Sequence, residues 1–270
     1  MNSKILSKKA HWVRQKSFQM HISAGKGHLG GAFSITDIMV AIYYCGLFNL
    51  SPKKQKDPNR DRLIFSKGHA CYALYCVLAD CGYFPKSKLD TYGQNGTIFG
   101  GHPDHTIPGI EVSSGSLGHG LGIGCGLALA AKLNKQNFST LVILGDGECL
   151  EGSVWEAASF ASQQKLSNLI AIVDNNKVAS TTFTKNFTGN YPLPAKWKSF
   201  GFDVLEIDGH NFTQILAALK KIKQKRQKPL AIIANTIKGK GISFMENDHH
   251  WHHGVPKGEQ IAIAKKDLGL

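Results

Sequence analysis

The chain has 270 residues, 42% of them hydrophobic and 19% charged, enough to bury a sizeable core, so disorder is excluded as its main state. Its 29 glycines and 9 prolines follow no collagen-like period. The charge is +13, from 32 basic and 19 acidic residues, and only Arg14, Arg60, Arg62 and Arg226 among the basic ones are arginine. DNA readers favour arginine forks and interleaved aromatics, and neither appears here. No apolar run reaches the roughly 18 residues a membrane span needs.

In chain order, the pattern predicts an amphipathic helix to about Ile22, a glycine-rich turn, and helices from Ser34 to Cys45 and from Ala70 to Asp80. Pro52–Asp61 is a polar loop. A further helix from Leu117 to Leu133 carries five glycines, Gly118, Gly120, Gly122, Gly124 and Gly126. Each costs a helix about 0.5–1 kcal/mol relative to alanine, and close approach to a ligand or a neighbouring helix is the usual reason for such a choice.

The second half alternates apolar runs with helical patterns. Strands are expected near 140–145, 168–174, 202–207 and 229–235, with helices at Ser153–Gln164 and Asn211–Gln224, the latter capped by Asn211. This is the signature of an α/β fold, a parallel sheet flanked by helices. With no repeat and no linker, a single domain over 1–270 is expected. The lysine-rich run 220–228 closes the helix from Thr213, where cations complement the dipole; steering of anionic partners is the other reading.

Six cysteines, none in a CxxC pair, read as reduced, buried thiols. The N-terminus has no signal-peptide core, so a cytoplasmic location is expected.

The chemistry gathers at Gly145-Asp146-Gly147-Glu148, where the first predicted strand of this half ends. In an open α/β sheet the carboxyl ends of the strands form the ligand crevice, and the helix from about Ser153 turns its N-terminus toward the same place. The next strand ends at Asp174-Asn175-Asn176-Lys177. Asn176 lies 30 positions after Asp146, one β-α-β step. The two side chains should therefore emerge at adjacent strand ends, a hard-oxygen pair suited to Mg²⁺ or Ca²⁺ rather than zinc.

This Gly-Asp-Gly to Asn-Asn spacing resembles the thiamine diphosphate motif, and the remaining motifs resemble transketolase. Gly25-Lys-Gly-His-Leu-Gly-Gly31, Ser66-Lys-Gly-His-Ala70, Gly101-His-Pro-Asp104 and Ser113-Ser-Gly-Ser-Leu-Gly-His-Gly120 follow one another in the family's order, and Asp146 to Glu151 with Trp155-Glu156 completes the set. The resemblance covers almost the whole chain and implies a thiamine-diphosphate-binding fold. It assigns Asp146, Asn176 and the carbonyl of Val178 to the metal. It assigns Gly147, Glu148, Glu151, His69, Ser116 and Leu117 to the cofactor, and His28 and His102 to the donor sugar. Glu151 and Glu156 are also placed by it near a dimer contact. In the tail, counting from Met245 and Trp251 favours His252 and counting back from Gly254 favours His253, so both stand as candidates. Zinc binding by that histidine cluster is disfavoured because no cysteine lies nearby. Ser116 and His119 depart from the family's proline and glutamine.

Family members continue into a pyrimidine-binding domain and a third domain. The chain thus resembles the N-terminal half of a split transketolase, which implies a C-terminal partner subunit carrying the activating glutamate, an α2β2 heterotetramer, thiamine diphosphate with Mg²⁺ or Ca²⁺, and anionic sugar substrates. Neither nucleic acid nor membrane is expected. The rivals are the α subunit of a thiamine-dependent 2-oxo acid dehydrogenase, which should lack the SKGHA and GHPD segments, and a non-catalytic scaffold subunit. As substrate, a pentose phosphate, an apulose phosphate and a sulfosugar all remain open.

Overall fold

A computed structural model describes residues 2–187 and 192–270. Five parallel strands, β1 (Arg62–Phe65), β2 (Thr140–Gly145), β3 (Leu169–Asn175), β4 (Asp203–Asp208) and β5 (Leu230–Asn235), form one sheet in the order β1-β2-β3-β5-β4. The helices are α1 (Ser3–Ala24), α2 (Leu29–Tyr44), α3 (Cys71–Asp80), α4 (His119–Leu133), α5 (Gly152–Gln163), α6 (Leu193–Ser199), α7 (Phe212–Ile222) and α8 (Glu259–Asp267).

Strand side chains alternate between two cores, as a sheet covered on both faces requires. Leu141, Ile143, Ile170 and Ile172 pack with α1, α2, α3 and α7. Val142, Leu144, Ala171 and Val173 pack with α4, α5 and α6. Every residue of β2 and β3 is buried, which is why these two strands stand out as unbroken apolar runs. At the edge, β4 is mostly half-exposed.

The four expected strands are present within one residue. The sequence pattern predicts only helices and loops in the first half, and β1 corrects this; its four residues are too short a run to signal a strand. Two helices, α6 and α8, carry no sequence signal. The expected Ser34 helix begins five residues earlier, because Gly30 and Gly31 are helical here; a methyl at Gly30 would sit 3.0 Å from the Trp251 carbonyl. The expected Leu117 helix begins at His119, after Gly118 at φ +85°. Of its glycines, Gly124 lies against Val142 of β2, where a methyl would meet the valine at 2.5 Å. Its neighbour is thus a strand, whereas Gly122 and Gly126 are exposed with nothing within 4 Å, and nothing in the structure explains them.

Asn211 caps α7, accepting from the amides of Thr213 and Gln214, and Lys220 and Lys221 lie in its last turn, as the dipole favours. All six cysteines are free; four are buried and two half-buried. Among the described residues no helix is long and apolar enough to cross a membrane.

Candidate active site

The carboxyl ends of β2 and β3 open into a cleft of about 380 Å³, within the usual range for a small-molecule site. Asp146, just past β2, is buried. Its Oδ1 accepts from the Gly147 amide at 2.9 Å, and its Oδ2 from the Lys177 amide at 2.7 Å and the Thr184 hydroxyl at 3.2 Å. Burial, with the nearby charge of Asp174, pushes its carboxyl up to about 6. A divalent cation beside it would reverse that shift.

Asn176, just past β3, is also buried, and its Oδ1 accepts from the Val178 amide at 3.1 Å. Its Nδ2 points back at Asp174 Oδ2, 3.3 Å away, which fixes the amide with its oxygen toward the loop. Lys177 turns the chain with φ +65°, so Val178 lines the same cleft as Asp146 and Asn176.

Beneath this pair lies a charged network. Asp174 is fully buried and accepts from Lys67, from Thr236 and, at 2.6 Å, from Ser34. Burial alone would raise its carboxyl, but the Lys67 ammonium and the hydrogen bonds hold it below the ordinary carboxylate value. Lys67 is in turn buried, and donates to the Gly31 carbonyl at 3.2 Å. A second buried lysine, Lys238, donates to the carbonyls of Val178 at 3.0 Å and Ala179 at 3.3 Å and lies 2.6 Å from His252 Nδ1. Burial, then repulsion from Lys67, pushes its ammonium down to about 7.

Opposite the strand ends stands a wall of histidines. His28 lies centrally, its ring 5.3 Å from that of His69, 6.3 Å from His102, 5.1 Å from His252 and 4.6 Å from His253. These five come from four separate segments of chain. Burial and the neighbouring His253 and His102 push His28 down to about 4; burial and Lys238 push His252 down to about 3; burial holds His69 well below its ordinary value and lowers His102. Each shift favours the neutral ring, which offers one donor and one acceptor.

Of the expected site residues, His28, His69, His102, Leu117, Asp146, Gly147, Glu148, Glu151, Asn176, Val178 and His252 line the one cleft. His253 is exposed, its ring 4.6 Å from that of His28, whereas His252 lines the cleft beside Lys238. Ser116 does not reach the cleft: the loop turns Leu117 inward and leaves Ser116 in a neighbouring hollow with His119. Glu148 faces the cleft, yet its carboxylate is engaged by Ser66, by the Gly118 amide at 2.9 Å and by the Gly145 amide at 3.0 Å, so it braces the walls. Glu151 is exposed at the rim, and Glu156 lies outside, in the groove between α4 and α5.

Sequence reasoning misses Lys238, Asp174 and the charged role of Lys67. Lys67 lies inside one of the short motifs; its buried neighbour Asp174 stands 107 positions away, and nothing local marks the pair.

The donor set fits a hard divalent ion: one carboxylate, one amide oxygen and one backbone carbonyl, with room for anion oxygens and water. The buried Nδ1 of His28, a residue that lines the cleft, has no hydrogen-bond partner among the described residues, which leaves it free to meet a bound group. Fold and site together define an α/β domain whose cleft at the strand ends fits a divalent metal and a diphosphate cofactor.

Comparison with known proteins agrees. Residues 6–270 match the family described as transketolase, thiamine diphosphate binding domain. The chain is 40% identical over 255 residues to one of the subunits of the apulose-4-phosphate transketolase of Phocaeicola vulgatus, covering 94% of this chain and 90% of that one. It is 41% identical over 264 residues to the 6-deoxy-6-sulfo-D-fructose transketolase subunit SqwG of a Clostridium species, covering 97% and 96%. The crystal structure of transketolase from Campylobacter jejuni superposes with a TM-score of 0.93 at 33% identity, over the whole of this chain and 43% of that one. This chain belongs to the transketolase N-terminal family, the thiamine diphosphate binding domain of transketolase.

Proposed function

We propose that the chain is the diphosphate-binding subunit of a two-subunit transketolase, transferring a two-carbon ketol unit from an anionic ketose to an aldose. The observation that carries this reading is the convergence of Asp146, Asn176 and Val178 in one cleft beneath a wall of histidines. Relatives of matching length that are themselves named as transketolase subunits support the two-chain design. Family membership removes the 2-oxo acid dehydrogenase reading.

In this reading Asp146, Asn176 and the Val178 carbonyl would hold Mg²⁺ or Ca²⁺, whose charge would offset that of the diphosphate. Gly147 leaves the backbone open to that group, and His69 and Leu117 border it. Bound thiamine diphosphate supplies the carbanion equivalent and electron sink of ketol transfer. His28, His102 and His252 orient the hydroxyls of the ketose and move protons at them, which their neutral state permits. His253 and Glu151 act at the mouth of the cleft. The acid that activates the cofactor belongs to a C-terminal partner subunit with the pyrimidine-binding domain, in an α2β2 assembly. Six free thiols, four of them buried, support a cytoplasmic location.

Relatives named for apulose 4-phosphate and for 6-deoxy-6-sulfo-D-fructose support a ketose with a terminal phosphate or sulfonate as the substrate class. The test is ketol transfer by this chain mixed with its C-terminal partner, offering xylulose 5-phosphate, apulose 4-phosphate and the sulfosugar to a common aldose acceptor. Transfer from one of the three, in the mixture only, supports the reading. Transfer by the chain alone, or from none of them, overturns it.

A further inference from the structure

Two segments of the histidine wall are held by tyrosines of one buried helix, α3, and a third by His21 of α1. Tyr75 of α3 stands 3.1 Å from the Gly100 carbonyl and 2.9 Å from that of His102, fixing the strap that carries His102. One turn earlier, Tyr72 donates to the Lys26 carbonyl at 2.6 Å, two residues before His28. The same hydroxyl lies 3.1 Å from Nδ1 of His21, in the last turn of α1. Nε2 of His21 lies 3.0 Å from the carbonyl of Gly254, the residue after His253. His21 and Tyr72 are both fully buried, with rings edge to face at 5.7 Å.

The chain Gly254–His21–Tyr72–Lys26 thus ties together two straps that are more than 220 positions apart in sequence. The protons can be counted. A carbonyl only accepts, so Nε2 of His21 carries the N–H toward Gly254, and burial, which outweighs the backbone hydrogen bonds, lowers the ring's pKa and so favours its neutral form. Nδ1 is then an acceptor, and the single hydroxyl proton of Tyr72 serves two acceptors, Nδ1 and the Lys26 oxygen. Removing the hydroxyl frees the Lys26 carbonyl and leaves His21, which holds Gly254, without its partner at Nδ1, so both straps lose support. Gly27, between Lys26 and His28, has φ +112°, and a methyl there would run into the Tyr72 hydroxyl; the strap lies directly on this group.

We propose that His21 and Tyr72 are positioning residues of the active site: they set His28 against His252 and His253 without touching cofactor or substrate. The part of this inference that concerns turnover rests on the transketolase reading. Asp146 and Asn176 lie at strand ends held by other contacts, so the pair should govern the sugar side and leave the metal side alone.

The experiment compares Tyr72→Phe, His21→Ala and His21→Gln in the complex with the C-terminal subunit. Donor turnover should fall roughly tenfold or more in Tyr72→Phe and His21→Ala, as sub-ångström misplacement of reacting groups does. The Kd for thiamine diphosphate should stay within about twofold. His21→Gln keeps a donor for the Gly254 carbonyl and should recover part of the loss. Hydrogen exchange should quicken together at 26–31 and 252–256 in Tyr72→Phe, while β2 and β3 stay protected, which also shows that the variant is folded. Wild-type turnover, a cofactor affinity that falls in step with turnover, or unchanged exchange at either strap would overturn the proposal. If the wild-type complex transfers no ketol unit, the function reading fails, and the paired exchange still decides the clasp.

Discussion

The two sides of the cleft are built in different ways. The metal side comes from two neighbouring parallel strands, in register from Thr140 against Leu169 to Gly145 against Asp174, whose ends deliver Asp146 and Asn176 side by side. The histidine side comes from four segments between positions 28 and 253, none of them a strand, held by side chains reaching from α1 and α3. Sheet geometry places the first by local rules; the second exists only once distant parts have packed. The metal side should therefore fail through the loss of single ligands, and the histidine side through loss of position.

The largest effect is expected at the metal side. Asp146→Ala should abolish ketol transfer and leave the chain folded, since the variant relieves a buried carboxyl already pushed up to about 6. Circular dichroism beside the activity assay checks both halves of that statement; a folded variant with wild-type turnover would remove Asp146 from the site.

Lys67→Met reaches below both sides. It strips the counter-ion from fully buried Asp174, and removing one partner of a buried pair costs about 3–5 kcal/mol. Denaturant unfolding should show a loss of that order. A loss under about 1 kcal/mol would mean the pair is dispensable, as exposed pairs are.

His102→Ala tests the other side. Turnover should fall by roughly 10²-fold, the usual contribution of a positioned proton donor or acceptor, with cofactor affinity unchanged. Equal losses in both would blur the division drawn here.

A pH series sharpens the contrast. In the cofactor-free chain the carboxyl of Asp146 is raised from 3.8 to about 6, so the folded state holds its proton longer than the unfolded chain does. Stability from this group is present below about 4 and is lost as pH rises through about 6. A bound cation favours the ionised form, so the gain in Tm from Mg²⁺ with cofactor should grow between about pH 5 and 7. A gain that is flat with pH would argue that Asp146 does not meet the metal.

The smallest effect separates the two tail histidines. His252 lines the cleft beside Lys238, whereas His253 is exposed, so His253→Ala should cost less turnover than His252→Ala. The reverse order, in steady-state kinetics, would return the role to His253.

What is legible in the sequence follows the same division. The step of 30 from Asp146 to Asn176 can be read because the β-α-β unit has a nearly constant length and both of its strands are unbroken apolar runs. His28, His69 and His102 are found through short motifs, each carrying its own glycines. The tail has no such frame: nothing in its spacing tells His252, which lines the cleft beside Lys238, from His253, which is exposed. Ser116 is drawn toward the cofactor by its motif, but the loop turns its neighbour inward instead. Lys238, Asp174, His21 and Tyr72 are out of reach, because their meaning lies in partners distant along the chain. β1 escapes notice because four residues do not make a pattern, even though its pairing with β2 closes the edge of the sheet next to Ser66.

In the proposed reading one side of the cleft holds the metal and the cofactor's diphosphate and the other handles the sugar. The most direct test is calorimetric titration of thiamine diphosphate, with Mg²⁺ and then with EDTA, into the complex carrying wild-type chain, Asp146→Ala, Asn176→Ala or His102→Ala. Metal-dependent binding by wild type and His102→Ala, lost in Asp146→Ala and Asn176→Ala, is the predicted result. Normal metal-dependent affinity in Asp146→Ala and Asn176→Ala would contradict it.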